Sequence, residues 1–171
     1  MKPNIIAIAA VTIDGKIARN AGHFTDWTSP EDKIFLRGFL DTCDVVVVGN
    51  NTYKTAVAPL SKRNCIVLTR AVPNKERRSD KLLLCNPEAI SIETILEPYQ
   101  RVALLGGAQT YTYFLERGLI DEFYLTIEPI IFGNGLDLFE CKNEATTKFE
   151  IVSVKELNEQ GTVLLHYRRP S

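Results

Sequence analysis

Short apolar runs rich in Val, Ile and Leu recur along the chain, at residues 5–11, 45–48, 65–68, 82–84, 102–105 and 123–127. Continuous runs of this kind mark strands covered on both faces, because a strand with one wet face alternates apolar and polar residues instead. Between several of them lie helical patterns, notably 30–40, 89–96 and 108–117. This alternation predicts an α/β fold with a mostly parallel central sheet flanked by helices. The end of the chain departs from it. Residues 149–157 and 162–168 flank the polar turn Asn158-Glu159-Gln160-Gly161, which predicts a C-terminal antiparallel hairpin and therefore a mixed sheet.

At 171 residues and 45% hydrophobic content, the chain can bury one substantial core but not two, so residues 1–171 are expected to form a single domain. The 20 basic and 21 acidic residues nearly cancel, and no face gathers the Lys and Arg that a polyanion requires, so no nucleic-acid partner is expected. The cluster Lys75, Arg77, Arg78 and Lys81, broken by acids, reads as a solvated loop. Cys43, Cys65, Cys85 and Cys141 lie far apart without a CxxC pair, and His23 and His166 are the only histidines, which argues against a metal site. The apolar start reads as a buried strand and not a signal peptide. No stretch approaches the roughly 18 apolar residues of a membrane span, so a cytoplasmic protein without a membrane partner is expected.

Five segments carry candidate chemistry. In Gly106-Gly107-Ala108-Gln109-Thr110-Tyr111 a buried strand ends in two glycines and a helix begins at once. Such a junction lets a pyrophosphate approach the backbone and the helix dipole, and it serves equally as a plain tight turn. It is not a GxGxxG fingerprint. In Gly49-Asn50-Asn51-Thr52-Tyr53 a second strand runs through a glycine into residues that cap a helix or contact a ligand. Thr69 and Arg70 follow the third strand, where a hydroxyl and a guanidinium suit a phosphate monoester, or stand simply as surface residues. Trp27-Thr28-Ser29-Pro30-Glu31-Asp32 has the form of a capping box with Pro at the first helical position. Asp32 therefore caps a helix, or supplies a proton at a pocket mouth beside Trp27. Thr12-Ile13-Asp14-Gly15-Lys16-Ile17-Ala18 leaves the first strand through an Asp-Gly turn.

The order of these pieces resembles known reductases. The segment from Thr12 to Ala18 is similar to the S-x-D-G-x-x-A element of bacterial riboflavin-pathway pyrimidine reductases, and Trp27-x-x-Pro30-x-Asp32 to the W-x-x-P-x-D spacing of dihydrofolate reductases. Gly49 to Tyr53 resembles the G-R-x-T-[WY] turn of that superfamily, and Gly106 to Tyr111 its G-G-x-x-x-Y loop. The run from Gly118 to Gly135 resembles the L-x-D-E-[apolar]-x-L-x-x-x-P-[apolar]-[apolar]-x-G-x-G pattern of pyrimidine-reductase-like domains.

The resemblance implies a dihydrofolate-reductase-like fold and an NADPH-dependent reductase of a small heterocycle. Its cofactor would lie on Ile17, Gly49, Asn50, Asn51, Thr52, Thr69, Arg70, Gly106, Gly107, Ala108, Gln109, Thr110 and Tyr111. Asp32 and Lys16 would be catalytic, with Asp14, Trp27 and Arg63 at the substrate. It also implies a homodimer. Asn50 stands where the superfamily often carries a basic residue, and residues 57–63 keep Pro59-Leu60 and Arg63 but lack the acidic pair of riboflavin-pathway reductases. The leading substrate is the ribosylaminopyrimidine phosphate of riboflavin synthesis. The alternatives are dihydrofolate reduction and a nucleotide-binding module without turnover.

Overall fold

The computed structural model describes all of Met1–Ser171. In chain order the elements are β1 (Asn4–Val11), β2 (Lys16–Ala18), α1 (Pro30–Leu40), β3 (Val45–Gly49), α2 (Asn50–Thr55), α3 (Val57–Leu60), β4 (Cys65–Leu68), β5 (Lys75–Ser79), β6 (Leu82–Cys85), α4 (Ile92–Leu96), β7 (Arg101–Leu104), α5 (Ala108–Glu116), β8 (Glu122–Ile127), β9 (Leu136–Asp137), β10 (Glu150–Glu156) and β11 (Val163–Arg168). All but β2 and β9 of the strands form one nine-stranded sheet in the order β10-β11-β8-β1-β7-β3-β4-β6-β5.

The six strands from β8 to β6 run parallel to their neighbours. They are the six apolar runs expected as doubly covered strands. Along β1 the burial explains why no polar residue interrupts it. Ile5, Ala7 and Ala9 pack on one face with Leu96, Tyr111 and Phe114, while Ile6 and Ile8 pack on the other with Phe39, Leu40 and Leu60. Helices α4 and α5 thus cover one face and α1 the other. Wholly burying one such side chain contributes roughly 1.5–3 kcal/mol.

The expected C-terminal hairpin is present, with β10 and β11 antiparallel and β11 antiparallel to β8. Its turn is held by Asn158, whose side-chain oxygen accepts from the amides of Gln160 and Thr162. The basic cluster at 75–81 is not a loop. Lys75–Ser79 forms β5, an edge strand antiparallel to β6 and exposed along its whole length. With no side to bury, it carries none of the apolar periodicity that reveals a strand. No helix is long and apolar enough to cross a membrane.

This topology brings the carboxyl ends of the six parallel strands, and the segments that leave them, to one rim of the sheet. Open α/β sheets gather ligands outside that rim.

Candidate active site

The two glycine segments meet side by side. Beyond the paired strands, the Leu105 amide donates to Val47 O at 2.9 Å and the Gly49 amide to Gly106 O at 2.6 Å. The Gly106–Gly107 peptide is cis. Gly106 has φ +83°, and a Cβ there would strike the Tyr111 ring, whose hydroxyl donates to Ile8 O beneath the turn. Gly106 is therefore demanded by packing. Gly107 is different: its φ is −75°, and a Cβ on it would stand 3.4 Å from Thr52 Oγ1 and 4.0 Å from Ile17 Cδ1. Three separate segments, bearing Ile17, Thr52 and Gly107, bracket one gap.

Helix α5 starts on this gap, with Gly107 as its N-cap and no side chain capping it. The amides of its first turn, from Ala108 to Thr110, lack intrahelical acceptors and carry the positive end of the dipole. Gly49 faces Thr110, whose Oγ1 would lie 2.6 Å from a Cβ at that position. Gly49 is also the N-cap of α2, which has no side-chain cap. Asn50, Asn51 and Thr52 lie inside that helix, so the reading of these side chains as its cap is corrected.

Thr69 and Arg70 leave β4 on the same rim. The Thr69 hydroxyl accepts from the Ala71 amide at 3.1 Å, a turn bond that shapes the segment. Arg70 is largely exposed and its Nε lies 2.7 Å from Glu88.

The acid end lies where β8 ends and α1 begins. Ser29 caps α1 and its hydroxyl accepts from the Asp32 amide at 3.2 Å. In a full capping box the Asp32 carboxylate would accept in return from the Ser29 amide. Here that amide donates to Glu128 Oε1 at 2.7 Å, so the box is only half made. The freed carboxyl of Asp32 is buried, at 7% exposure. Burial pushes its pKa up from the ordinary carboxylate value, the Thr126 hydroxyl pulls it back, the neighbouring Glu128 carboxylate pushes it up again, and Thr28 and Lys33 pull it down. Trp27 packs edge-on against Phe132, with ring centroids 5.1 Å apart. Its indole N–H is buried without a partner, and such a donor is costly unless a ligand or water meets it.

Asp14 and Lys16 serve the frame. Asp14 accepts from the Thr12 hydroxyl at 2.6 Å and from the Phe132 and Gly133 amides at 3.2 and 2.8 Å. The Thr12 bond is the main cause of a pKa held below the carboxylate norm. These bonds clamp the loop after β1 to the loop after β8. Lys16 pairs with Asp137 across the β2–β9 ribbon. Arg63 is not brought to this rim at all. It pairs with Asp41 at 2.7 Å at the amino ends of β3 and β4, beside Asp44 and Lys81.

Sequence reasoning passed over Thr126 and Glu128. Glu128 is the one charged residue between Phe123 and Leu136. An isolated acid in so apolar a run was the available signal, since a buried carboxylate needs partners.

A family model described as dihydrofolate reductase matches residues 4–164. The YwjB protein of Bacillus subtilis (strain 168) is 29% identical over 178 residues, covering 99% of each chain. A pyrimidine reductase-like protein from Corynebacterium diphtheriae shares the fold with a TM-score of 0.77 at 17% identity, over 99% of this chain and 92% of that one. The dihydrofolate reductase of Enterococcus faecalis, solved with NADP(H), superposes with a TM-score of 0.70 at 21% identity, over 100% and 99% of the two chains. With a doubly covered parallel sheet, an antiparallel closing hairpin and a family match across nearly its whole length, the chain belongs to the dihydrofolate reductase family.

Proposed function

We propose that this protein is an NADPH-dependent reductase of a small nitrogen heterocycle. The observation that carries the reading is the division of one rim into two halves: a glycine-lined gap at Gly49, Gly106 and Gly107, and a buried carboxyl at Asp32. The gap fits a dinucleotide because a Cβ at Gly107 would stand between Thr52 and Ile17, in space that a diphosphate and nicotinamide ribose would use. Gly107, Ala108, Gln109 and Thr110 would hold the diphosphate, Thr69 and Arg70 the adenosine phosphate, and Ile17 the nicotinamide side. Bound there, the reduced nicotinamide supplies a hydride.

The chain's own part is orientation and proton supply. Burial keeps Asp32 protonated further up the pH scale, so it can hand a proton to a ring nitrogen as the adjacent carbon is reduced. Trp27 and Phe132 wall the substrate side and exclude water. Lys16, committed to Asp137, is given no step.

Two substrates are supported by different observations. The fold likeness to a pyrimidine reductase-like protein supports a ribosylaminopyrimidine phosphate. The Trp27-x-x-Pro30-x-Asp32 spacing, and the place of Arg63 at the opposite rim, support a dihydropterin that brings no phosphate. NADPH oxidation followed spectroscopically with each substrate tests the proposal. Turnover with either assigns the class, whereas NADPH binding without turnover on any heterocycle would leave a nucleotide-binding module.

The reading includes a homodimer formed through the C-terminal hairpin. Edge strand β10 exposes Ile151, Val152 and Val154, while the opposite edge, β5, is lined by charge, which discourages pairing. Light scattering should give twice the 19.2 kDa chain mass at micromolar concentration. Val154→Lys should return it to one.

A further inference from the structure

We propose that Glu128 is the positioning residue of the acid: by occupying the Ser29 amide it leaves the Asp32 carboxyl free of capping and turned to the substrate end. The inference rests on the reading of Asp32 as proton donor. Four observations meet on Glu128.

It is almost wholly buried, at 3% exposure, on a chain whose acids are otherwise mostly wet. Its two oxygens are divided between two elements. Oε1 accepts from the Ser29 amide at 2.7 Å and Oε2 from the Thr162 hydroxyl at 2.8 Å. Its own amide is fixed by Val11 O at 2.9 Å, so the side chain stands on the frame of β1 and β8. Finally, the Thr162 hydroxyl accepts from Asn158, which also donates to Glu31 in the first turn of α1. A continuous chain of hydrogen bonds thus runs from the tip of the C-terminal hairpin, through Glu128, to the cap of the helix that carries Asp32.

The alternative arrangement is local and short. Without Glu128 the half-buried Ser29 amide would lack its acceptor, and Asp32, three residues on, is the acceptor that a capping box places there. Drawn into that bond, Asp32 would be a better anion and a poorer proton donor, since a carboxylate is stabilised by an N–H donor. Glu128 therefore acts twice, by competing for the amide and by setting a like charge near Asp32. The other charged group that bears on Asp32 is Lys33 on its own helix, which acts in the opposite sense, and the Thr126 and Thr28 hydroxyls face it without charge.

The test pairs Glu128→Leu, which keeps most of the volume but removes both acceptors and the charge, with Glu128→Gln, which keeps one carbonyl acceptor for the Ser29 amide and removes only the charge. The Asp32 carboxyl is followed by 13C NMR titration and identified by the signal lost in Asp32→Asn. We expect its midpoint to fall by about one pH unit, the size that a close like charge imposes. The alkaline limb of kcat/KM should move down with it, because the reaction needs the protonated acid, while the Kd for NADPH stays within about twofold. Glu128→Asp should restore part of the shift.

The midpoint should fall further in Glu128→Leu than in Glu128→Gln, and an equal fall in the two folded variants, or none in either, would overturn the proposal. If either variant does not fold, Thr162→Val removes one of the two bonds to Glu128 and should shift the midpoint in the same direction by less. An unmoved midpoint there would overturn the proposal equally. The underlying reading fails separately: full turnover in Asp32→Asn would remove Asp32 from the reaction, and the titration would still decide whether Glu128 controls its carboxyl.

Discussion

The two rims of the parallel strands are built from the same polar vocabulary and use it differently. At the amino rim most of the charge is spent on the chain itself, with Nη2 of Arg169 the buried exception. Asp44 accepts from the Gln100 and Arg101 amides at 2.8 Å each, Asp121 from the Ile5 amide at 3.0 Å, and Arg63 holds Asp41. Cavities of about 270 and 390 Å³ lie there, the first beside the Arg63–Asp41 pair and the second beside the His166–Glu122 pair. At the carboxyl rim the backbone is thinned by glycine, helix α5 starts without a cap, the Trp27 N–H has no acceptor and Asp32 is excused from its cap. One rim closes the fold. The other leaves groups unspent, and those are what a ligand can use.

Four variants test that contrast, beginning with the strongest. Gly107→Val should abolish measurable NADPH binding by calorimetry, because the branched side chain fills the gap between Thr52 and Ile17, with circular dichroism showing that the protein stays folded. Normal affinity would break the assignment of this rim to a cofactor. Asp32→Asn should lower turnover at least about tenfold, an activation difference of ~1.4 kcal/mol. Its effect on stability should be small, since the amide bond to Ser29 survives, and an equal rate would return Asp32 to the frame.

Arg70→Ala addresses the far end of the cofactor. One charge-assisted bond to the 2′-phosphate contributes roughly 1.5–3 kcal/mol, or about a ten- to hundredfold preference for NADPH over NADH. The variant should lose most of that preference and leave NADH affinity unchanged. Glu88 competes for the same guanidinium, and salt should weaken both contacts. Equal losses for both cofactors would make Arg70 structural. The smallest effect is expected at the other rim, where Arg63→Ala should alter kcat/KM by less than about twofold and stability by at most ~1 kcal/mol, as for a partly exposed ion pair. A large loss of activity there would erase the distinction between the rims.

The parallel sheet was legible because β1, β3, β4, β6, β7 and β8 are covered on both faces and read as apolar runs, with Thr126 standing in the last of them. Helix α1 was legible from Ser29 and Pro30. Strand β5 was not: Lys75, Glu76, Arg77 and Ser79 pair with β6 through their backbone, which periodicity cannot see. The ribbon of β2 and β9 joins residues 118 or more apart through short polar pieces, so no local pattern announces it. Among site residues, those whose role is backbone shape, Gly49, Gly106 and Gly107, stood out at strand ends. Those whose role depends on a partner did not. Arg63 looked like a ligand for a phosphate until Asp41 was beside it. Asp32 fitted a capping box by its spacing from Ser29 until Glu128, 99 positions along the chain from Ser29, took the Ser29 amide that the box assigns to it.

The hydrogen bond from Thr162 to Glu128 also has a meaning in time. A nascent chain leaves the ribosome amino end first, and domains organise as their segments emerge. The glycines of the gap and the first turn of α5 lie within the first 111 residues, and only the Ile17 wall waits for β9 to pair with β2, whereas the surroundings of Asp32 are complete only once β8 has added to β1 and the hairpin carrying Thr162 has added to β8. In translation, the glycine floor that would grip a cofactor is therefore made well before the half of the rim that would make it react.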